Sequence, residues 1–162
     1  MRPHLAALIY CALLGHVAAA TAANPLDALK DLGRDIGGAP KLLPPDQAFK
    51  VTVRVKNADT LIAEFAPAKA YYLYRNKLRF GLIEPGMGIA AVKLPQGEDK
   101  ADVTMGRVEV YRKPVVAEIT VGRGDTAARK ITLETGYQGC SEKGVCYAPM
   151  TRRFELQLPA IN

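Results

Sequence analysis

From Phe49 onward apolar and polar positions alternate, with Phe49, Val51, Val53 and Val55 separated by Lys50, Thr52 and Arg54. A period of two puts one set on a buried face and the other on a wetted face, so residues 49–56 predict a half-buried strand. Short runs with β-branched and aromatic residues follow at 60–65, 70–75, 78–83, 89–94, 108–111, 115–121, 130–135 and 154–158, bounded by Gly, Pro, Asn or Asp. Short strands with no long internal helix predict an all-β fold, an immunoglobulin-like antiparallel β-sandwich. The Cys…Trp…Cys signature of antibody domains is missing, and the chain has no Trp.

Before Phe49 the pattern differs. Residues 5–20 form an apolar run that follows one basic residue and ends in Ala18-Ala19-Ala20. This predicts a signal peptide over 1–20, cleaved between 20 and 23, and hence export. Cys11 sits in the apolar region with no small residue directly before it and is expected to leave with the peptide. Over 24–40, Leu26, Leu29, Leu32 and Ile36 recur at helical spacing, with Asn24 as N-cap, Pro25 at the first position and Gly37-Gly38 as a stop. A short amphipathic helix and linker are expected there. Pro40, Pro44 and Pro45 mark the entry to one domain over 41–162.

Composition narrows the chemistry. At 49% hydrophobic and 23% charged residues, the 162-residue chain is that of a soluble globular protein, and its 14 Gly and 11 Pro show no repeat. The formal net charge of +6 comes from scattered basic residues, which predict a solvated surface rather than a nucleic-acid interface. Both histidines, His4 and His16, lie in the signal peptide. The mature chain therefore lacks the base of a Ser-His-Asp or Cys-His system and the imidazole of common zinc sites. No Gly-rich phosphate loop follows a strand, and no cofactor is implied.

Chemistry is left to Cys140 and Cys146, in 137–149 (YQGCSEKGVCYAP). After export two thiols this close pair if geometry permits. Closing a loop of about seven residues contributes roughly 2.4 kcal/mol on the chain-entropy argument, about half of what a bridge across the whole domain would give. The bridge is a weak staple. With Gly139 and Gly144 at its edges, the loop also offers a place where a partner's backbone could approach for thiol–disulfide exchange. Without histidine, thiolate formation would draw on Lys143, backbone amides, carboxylates such as Asp102, or activation within a complex. Two other readings stay open: a non-enzymatic immunoglobulin-like binding module with a structural hairpin disulfide, and Cu(I) delivery. The second is opposed by the lack of His and of a Met cluster near the pair.

Five segments in order, 43–49 (LPPDQAF), 71–75 (YYLYR), 94–97 (LPQG), 109–112 (EVYR) and the cysteine segment, carry a resemblance. Over roughly 41–158 the chain resembles the amino-terminal periplasmic domain of the thiol:disulfide interchange protein DsbD family. The resemblance implies an immunoglobulin-like, monomeric domain. Such a domain takes electrons from the thioredoxin-like domain of a membrane protein and passes them to periplasmic disulfide isomerases and related thioredoxin-fold proteins. It implies that Cys140 and Cys146 are the redox pair, that Cys146 forms the intermolecular disulfide, and that Tyr72 and Tyr74 line the site. The segment 102–106 matches a cap loop that shields the cysteines: Asp102 and Gly106 fit, but Thr104 stands where the shielding aromatic belongs, with Met105 beside it. Leaky shielding is expected. The family's longer members continue into membrane and thioredoxin-like domains, so a chain of this length is expected to work in trans with separate modules or in another relay.

Overall fold

The computed structural model describes residues 41–103 and 105–161. The expected signal peptide over 1–20, the expected helix over 24–40 and Thr104 lie outside the described residues.

One helical turn, α1 (Pro45–Ala48), leads into eleven strands among the described residues. They are β1 (Phe49–Val55), β2 (Thr60–Pro67), β3 (Tyr71–Tyr74), β4 (Arg79–Leu82), β5 (Gly88–Lys93) and β6 (Glu98–Asp102). After these come β7 (Gly106–Tyr111), β8 (Val115–Gly122), β9 (Arg129–Tyr137), β10 (Gly139–Ser141) and β11 (Met150–Leu158). Every strand pairing is antiparallel.

One layer has the order β1-β2-β8-β5. The other is made of two ladders, β11-β9-β4 and β10-β3-β7-β6. These join because β9 and β10 are a single run of chain interrupted at Gln138, whose carbonyl accepts the Tyr74 N–H at 3.0 Å. The strand that enters as core therefore leaves as the strand bearing Cys140.

Alternation decides which faces meet. In β8 the residues Val115, Ala117, Ile119 and Val121 are buried, and in β9 Ile131, Leu133, Thr135 and Tyr137 are. Across the layers the Phe65 ring packs edge-on against Phe80 at 5.9 Å and Tyr137 at 5.8 Å. Each fully buried Leu, Ile or Phe removes apolar area worth about 1.5–3 kcal/mol from water. Leu61, Phe65, Leu73, Ile119, Ile131, Leu133 and Leu158 are such residues.

The nine runs expected from the sequence all lie in strands, with ends shifted by up to four residues. Two strands are additional. β6 (EDKAD) has no apolar alternation and forms through its pairing with β7, from Glu98↔Val110 to Asp102↔Gly106. It is a charged edge strand, a composition that also discourages pairing with other chains. β10 is too short to give a periodic signal.

Candidate thiol–disulfide site

Cys140 is the middle residue of β10, opposite Tyr72 of β3, and the chain then turns back to bring Cys146 beside it. The Ser141 N–H donates to the Val145 carbonyl at 2.8 Å and the Tyr147 N–H to the Gly139 carbonyl at 3.0 Å. The two cysteines thus occupy the non-hydrogen-bonded position between these bonds, where opposed Cα atoms come closest. Their Cα atoms are 3.9 Å apart and the sulfurs are joined as a disulfide.

The turn needs Gly144, whose φ of +84° lies in the left-handed region. A second residue in that region, Ala70 at φ +65°, directs its carbonyl to the Glu142 N–H at 2.9 Å. An alanine in this conformation costs about 1 kcal/mol or more. Gly139 has a different role from the open approach expected of it. It is buried, and a Cβ there would stand 2.4 Å from the Tyr72 carbonyl oxygen and 2.5 Å from the Phe49 ring.

The sulfurs differ sharply in access. Cys140 is 0% exposed, in a cluster with Tyr72, Tyr74, Val108 and Val110 against which Met105 packs. Cys146 is exposed and lines a cleft of about 400 Å³. Tyr72, Tyr74, Lys100, Asp102, Val103, Met105, Gln138 and Gly144 share that lining. Thiol–disulfide exchange needs access to the attacked sulfur, and of the two it is Cys146 that is exposed.

A hydroxyl–carboxylate pair stands beside the bridge. The Tyr74 Oη lies 3.3 Å from the Cys140 Sγ and 3.9 Å from the Cys146 Sγ. Its O–H donates to the Asp102 Oδ2 at 2.6 Å. Disulfide sulfur carries no proton, so the phenol turns its hydrogen to Asp102 and a lone pair toward Cys140. Burial, followed by the Asp102 hydrogen bond and the nearby Tyr72 hydroxyl, pushes the Tyr74 phenol far above its ordinary value. Tyr74 therefore stays protonated. Asp102 also accepts the Met105 N–H through Oδ1 at 3.0 Å, which ties the cap loop to the same carboxylate.

The structure brings Tyr72, Tyr74, Asp102 and Met105 around the cysteine pair. Lys143 is exposed and makes no ion pair among the described residues. Sequence reasoning missed Val103, which is 105% exposed in the cap loop, and Gln138, whose Nε2 donates to the Tyr147 carbonyl at 3.0 Å. Neither residue type announces a site; only the bend between β9 and β10 and the tip of the β6–β7 hairpin put them there.

The five sequence segments form one connected network. The Leu43 N–H donates to the Tyr71 hydroxyl at 2.8 Å, and the Tyr147 hydroxyl donates to the Leu43 carbonyl at 2.6 Å. Phe49 meets Tyr71 and Tyr147 edge-on at 5.8 and 5.2 Å. Glu109 binds Arg75 at 3.0 Å and accepts the Gly97 N–H at 3.1 Å, while the Tyr111 hydroxyl donates to the Pro95 carbonyl at 2.6 Å. Arg112 reaches Glu142 in the cysteine loop at 2.7 Å.

An immunoglobulin-like sandwich that carries a short-loop disulfide at its surface, one sulfur buried and one accessible, defines a class of thiol-bearing β-domains. Within that class the chain belongs to the family described as "Thiol:disulfide interchange protein DsbD, N-terminal", whose profile matches residues 39–158. It is 39% identical over 124 residues to "Thiol:disulfide interchange protein DsbD 1" of Pseudomonas aeruginosa, covering 76% of this chain and 20% of that protein. The DsbD of Escherichia coli K12 is 34% identical over 128 residues, covering 79% of this chain and 22% of that protein. The chain thus spans about a fifth of the length of these relatives. Among solved structures it resembles the reduced N-terminal domain of Neisseria meningitidis DsbD, with a TM-score of 0.62 and 30% identity over 70% of this chain and 88% of that one. It also resembles a chain from the complex between the DsbD and PilB N-terminal domains of that organism, with a TM-score of 0.61 and 29% identity over 72% of this chain and 88% of that one.

Proposed function

We propose that the chain is a periplasmic thiol–disulfide exchange domain whose Cys140–Cys146 pair relays two electrons. The donor is a thioredoxin-like domain of a membrane protein, and the acceptors are periplasmic disulfide isomerases or related thioredoxin-fold proteins. The observation that carries this reading is the unequal access to the two sulfurs, Cys146 open to the cleft and Cys140 sealed beneath it. Partnership between a DsbD N-terminal domain and another domain in the Neisseria complex supports a protein partner, and the expected signal peptide supports export.

The exchange runs in two balanced halves. A donor thiolate attacks the Cys146 Sγ, the Cys140–Cys146 bond breaks, and its electron pair leaves on the Cys140 sulfur, which takes a proton. The donor's second thiolate then attacks its own sulfur in the mixed disulfide and releases Cys146 as thiolate. The domain is now a dithiol and the donor a disulfide. Toward an acceptor the Cys146 thiolate attacks, and Cys140 resolves the adduct by re-forming the bridge.

With no histidine outside the expected signal peptide, the proton at Cys140 falls to Tyr74 and Asp102. The phenol does not titrate in the working range, so it acts as a relay: its oxygen accepts the Cys140 S–H while its own O–H points to Asp102, the acid–base group. Met105, Asp102 and the Tyr72 ring form the described wall of the cap; Thr104 belongs to the same loop by sequence. No cofactor or metal enters this chemistry.

Trapping tests the assignment. Cys140→Ser leaves Cys146 able to attack but removes the resolving thiol, so a long-lived mixed disulfide with partners is expected on a non-reducing gel. Cys146→Ser gives none. The reversed pattern refutes the roles, and a reduced wild-type protein that melts cooperatively below physiological temperature refutes the relay in favour of a structural bridge.

A further inference from the structure

Arg112 follows β7 at the base of the β6–β7 hairpin, whose tip is the cap loop. Its guanidinium makes two ion pairs, Nε to the Glu142 Oε1 at 2.7 Å and Nη1 to the Glu98 Oε2 at 3.0 Å, and lies 5.7 Å from the centre of the Tyr72 ring. One side chain therefore touches the cysteine loop, the start of β6, and the tyrosine opposite Cys140. The Glu142 hydrogen bond, set against a smaller opposing cost of burial, holds the guanidinium charge more firmly than usual. Lysine could not replace it, because a point charge does not span two carboxylates as a planar fork does.

We propose that Arg112 is a positioning residue for the cysteine pair: through Glu142 it pins the 141–145 loop to the cap hairpin and keeps the two sulfurs within reach when the bond between them is open. The proposal rests on the redox reading of Cys140 and Cys146.

The argument turns on which links survive reduction. In the disulfide form the loop is already closed covalently at both ends, so the ion pair forms there without further loss of chain freedom. Once the bond is broken, the loop keeps its own backbone bonds, the Glu142 N–H to the Ala70 carbonyl, and the Glu142–Arg112 pair. Among the described residues that pair is the one side-chain link from the loop to the hairpin that carries the cap. It therefore restricts the dithiol and mixed-disulfide states more than the disulfide. Restricting them raises the effective concentration of the Cys140 sulfur at Cys146, which favours re-forming the bridge. Both partners are about one-third exposed, so the effect sits in the range of a partly screened pair.

The test is equilibration of the purified protein in buffers of reduced and oxidised dithiothreitol, with the dithiol fraction read by acid quenching and alkylation. The variants are Arg112→Ala, Glu142→Gln and the double variant. Each single variant is expected to lower the equilibrium constant for forming Cys140–Cys146 by about two- to fivefold, an upward shift of roughly 10–20 mV at 29.6 mV per tenfold. The double variant should shift no further than the larger single one. Resolution of a glutathione adduct by Cys140 should slow in the same order. Glu142→Gln leaves β7 and the Tyr72 ring untouched, so it reads the pin alone. Unchanged constants, or singles that add in the double variant, overturn the proposal. A merely structural Arg112 would lower the melting temperature and leave the equilibrium constant where it was. The wild-type value in the same buffers reports on the redox reading separately, since a potential below about −300 mV marks an inert bridge.

Discussion

Gly139→Ala adds one methyl group at the point where β10 crosses the aromatic box of Phe49, Tyr71 and Tyr147. The new Cβ would stand 2.4 Å from the Tyr72 carbonyl oxygen and 2.5 and 2.7 Å from two Phe49 ring carbons. None of these atoms is the end of a flexible chain: one is backbone of β3, and the ring is 0% exposed and held edge-on by two tyrosines. Relief therefore requires β10 to lift off β3, which strains the Gly139↔Leu73 and Cys140↔Tyr72 pairs. Overpacking of this kind costs about 1–3 kcal/mol, and the absence of a soft neighbour puts this case in the upper half. For a domain of about 120 residues 1 kcal/mol corresponds to roughly 4 °C, so the melting temperature of the disulfide form should fall by about 8–12 °C. Gly144→Ala is the control, since its φ is +84° but nothing lies within 4 Å of the added carbon, leaving only conformational strain. Its loss should be about half as large. Thermal unfolding followed by circular dichroism decides the matter. A Gly139→Ala protein melting within about 2 °C of wild type, or one less affected than Gly144→Ala, would refute the packing argument.

The cap gives a kinetic prediction: Met105 packs against the Cys140 cluster, so Met105→Ala should speed reduction by glutathione at fixed pH, and Thr104→Phe should slow it by adding rigid bulk. Equal pseudo-first-order rates in the three proteins would remove the shielding role. Alkaline stability follows from Tyr147, whose phenol is pushed up to about 12 from an ordinary value of 10.0 by burial and by its Tyr71 neighbour. A raised folded value means that its contribution is fully present below pH 10 and lost as the pH climbs toward 12. Tyr147→Phe should therefore flatten the decline in denaturant midpoint across that window, and an unchanged slope would contradict it.

The period-two alternation over 49–56 and the runs at 115–121 and 130–135 that lie in β8 and β9 were legible from the chain alone, because strand pattern is set locally by the pleat. So was the chemistry on offer: beyond the expected signal peptide the sequence has no histidine, two thiols and little else with which to react, and the pair's short spacing made it a poor staple. Composition and order along one dimension carry that information.

β6 escaped notice because nothing in Glu98-Asp99-Lys100-Ala101-Asp102 favours a strand by itself; its backbone is recruited by β7, a cooperative event no local window contains. Gly139 reads in sequence as an open loop edge and is in fact a buried contact, since the Phe49 ring that fills its missing side chain comes from ninety residues earlier. The inequality of the two sulfurs reached the sequence reading only through the family resemblance: nothing beside Cys140 or Cys146 in the chain marks it, and it is the crossing of β10 over β3 that buries one while the turn lifts the other into the cleft. The acid–hydroxyl pair of Asp102 and Tyr74 and the reach of Arg112 to Glu142 join residues 28 and 30 positions apart. Such meetings depend on strand register and sheet twist, which the whole sandwich sets at once as its layers close on a shared core.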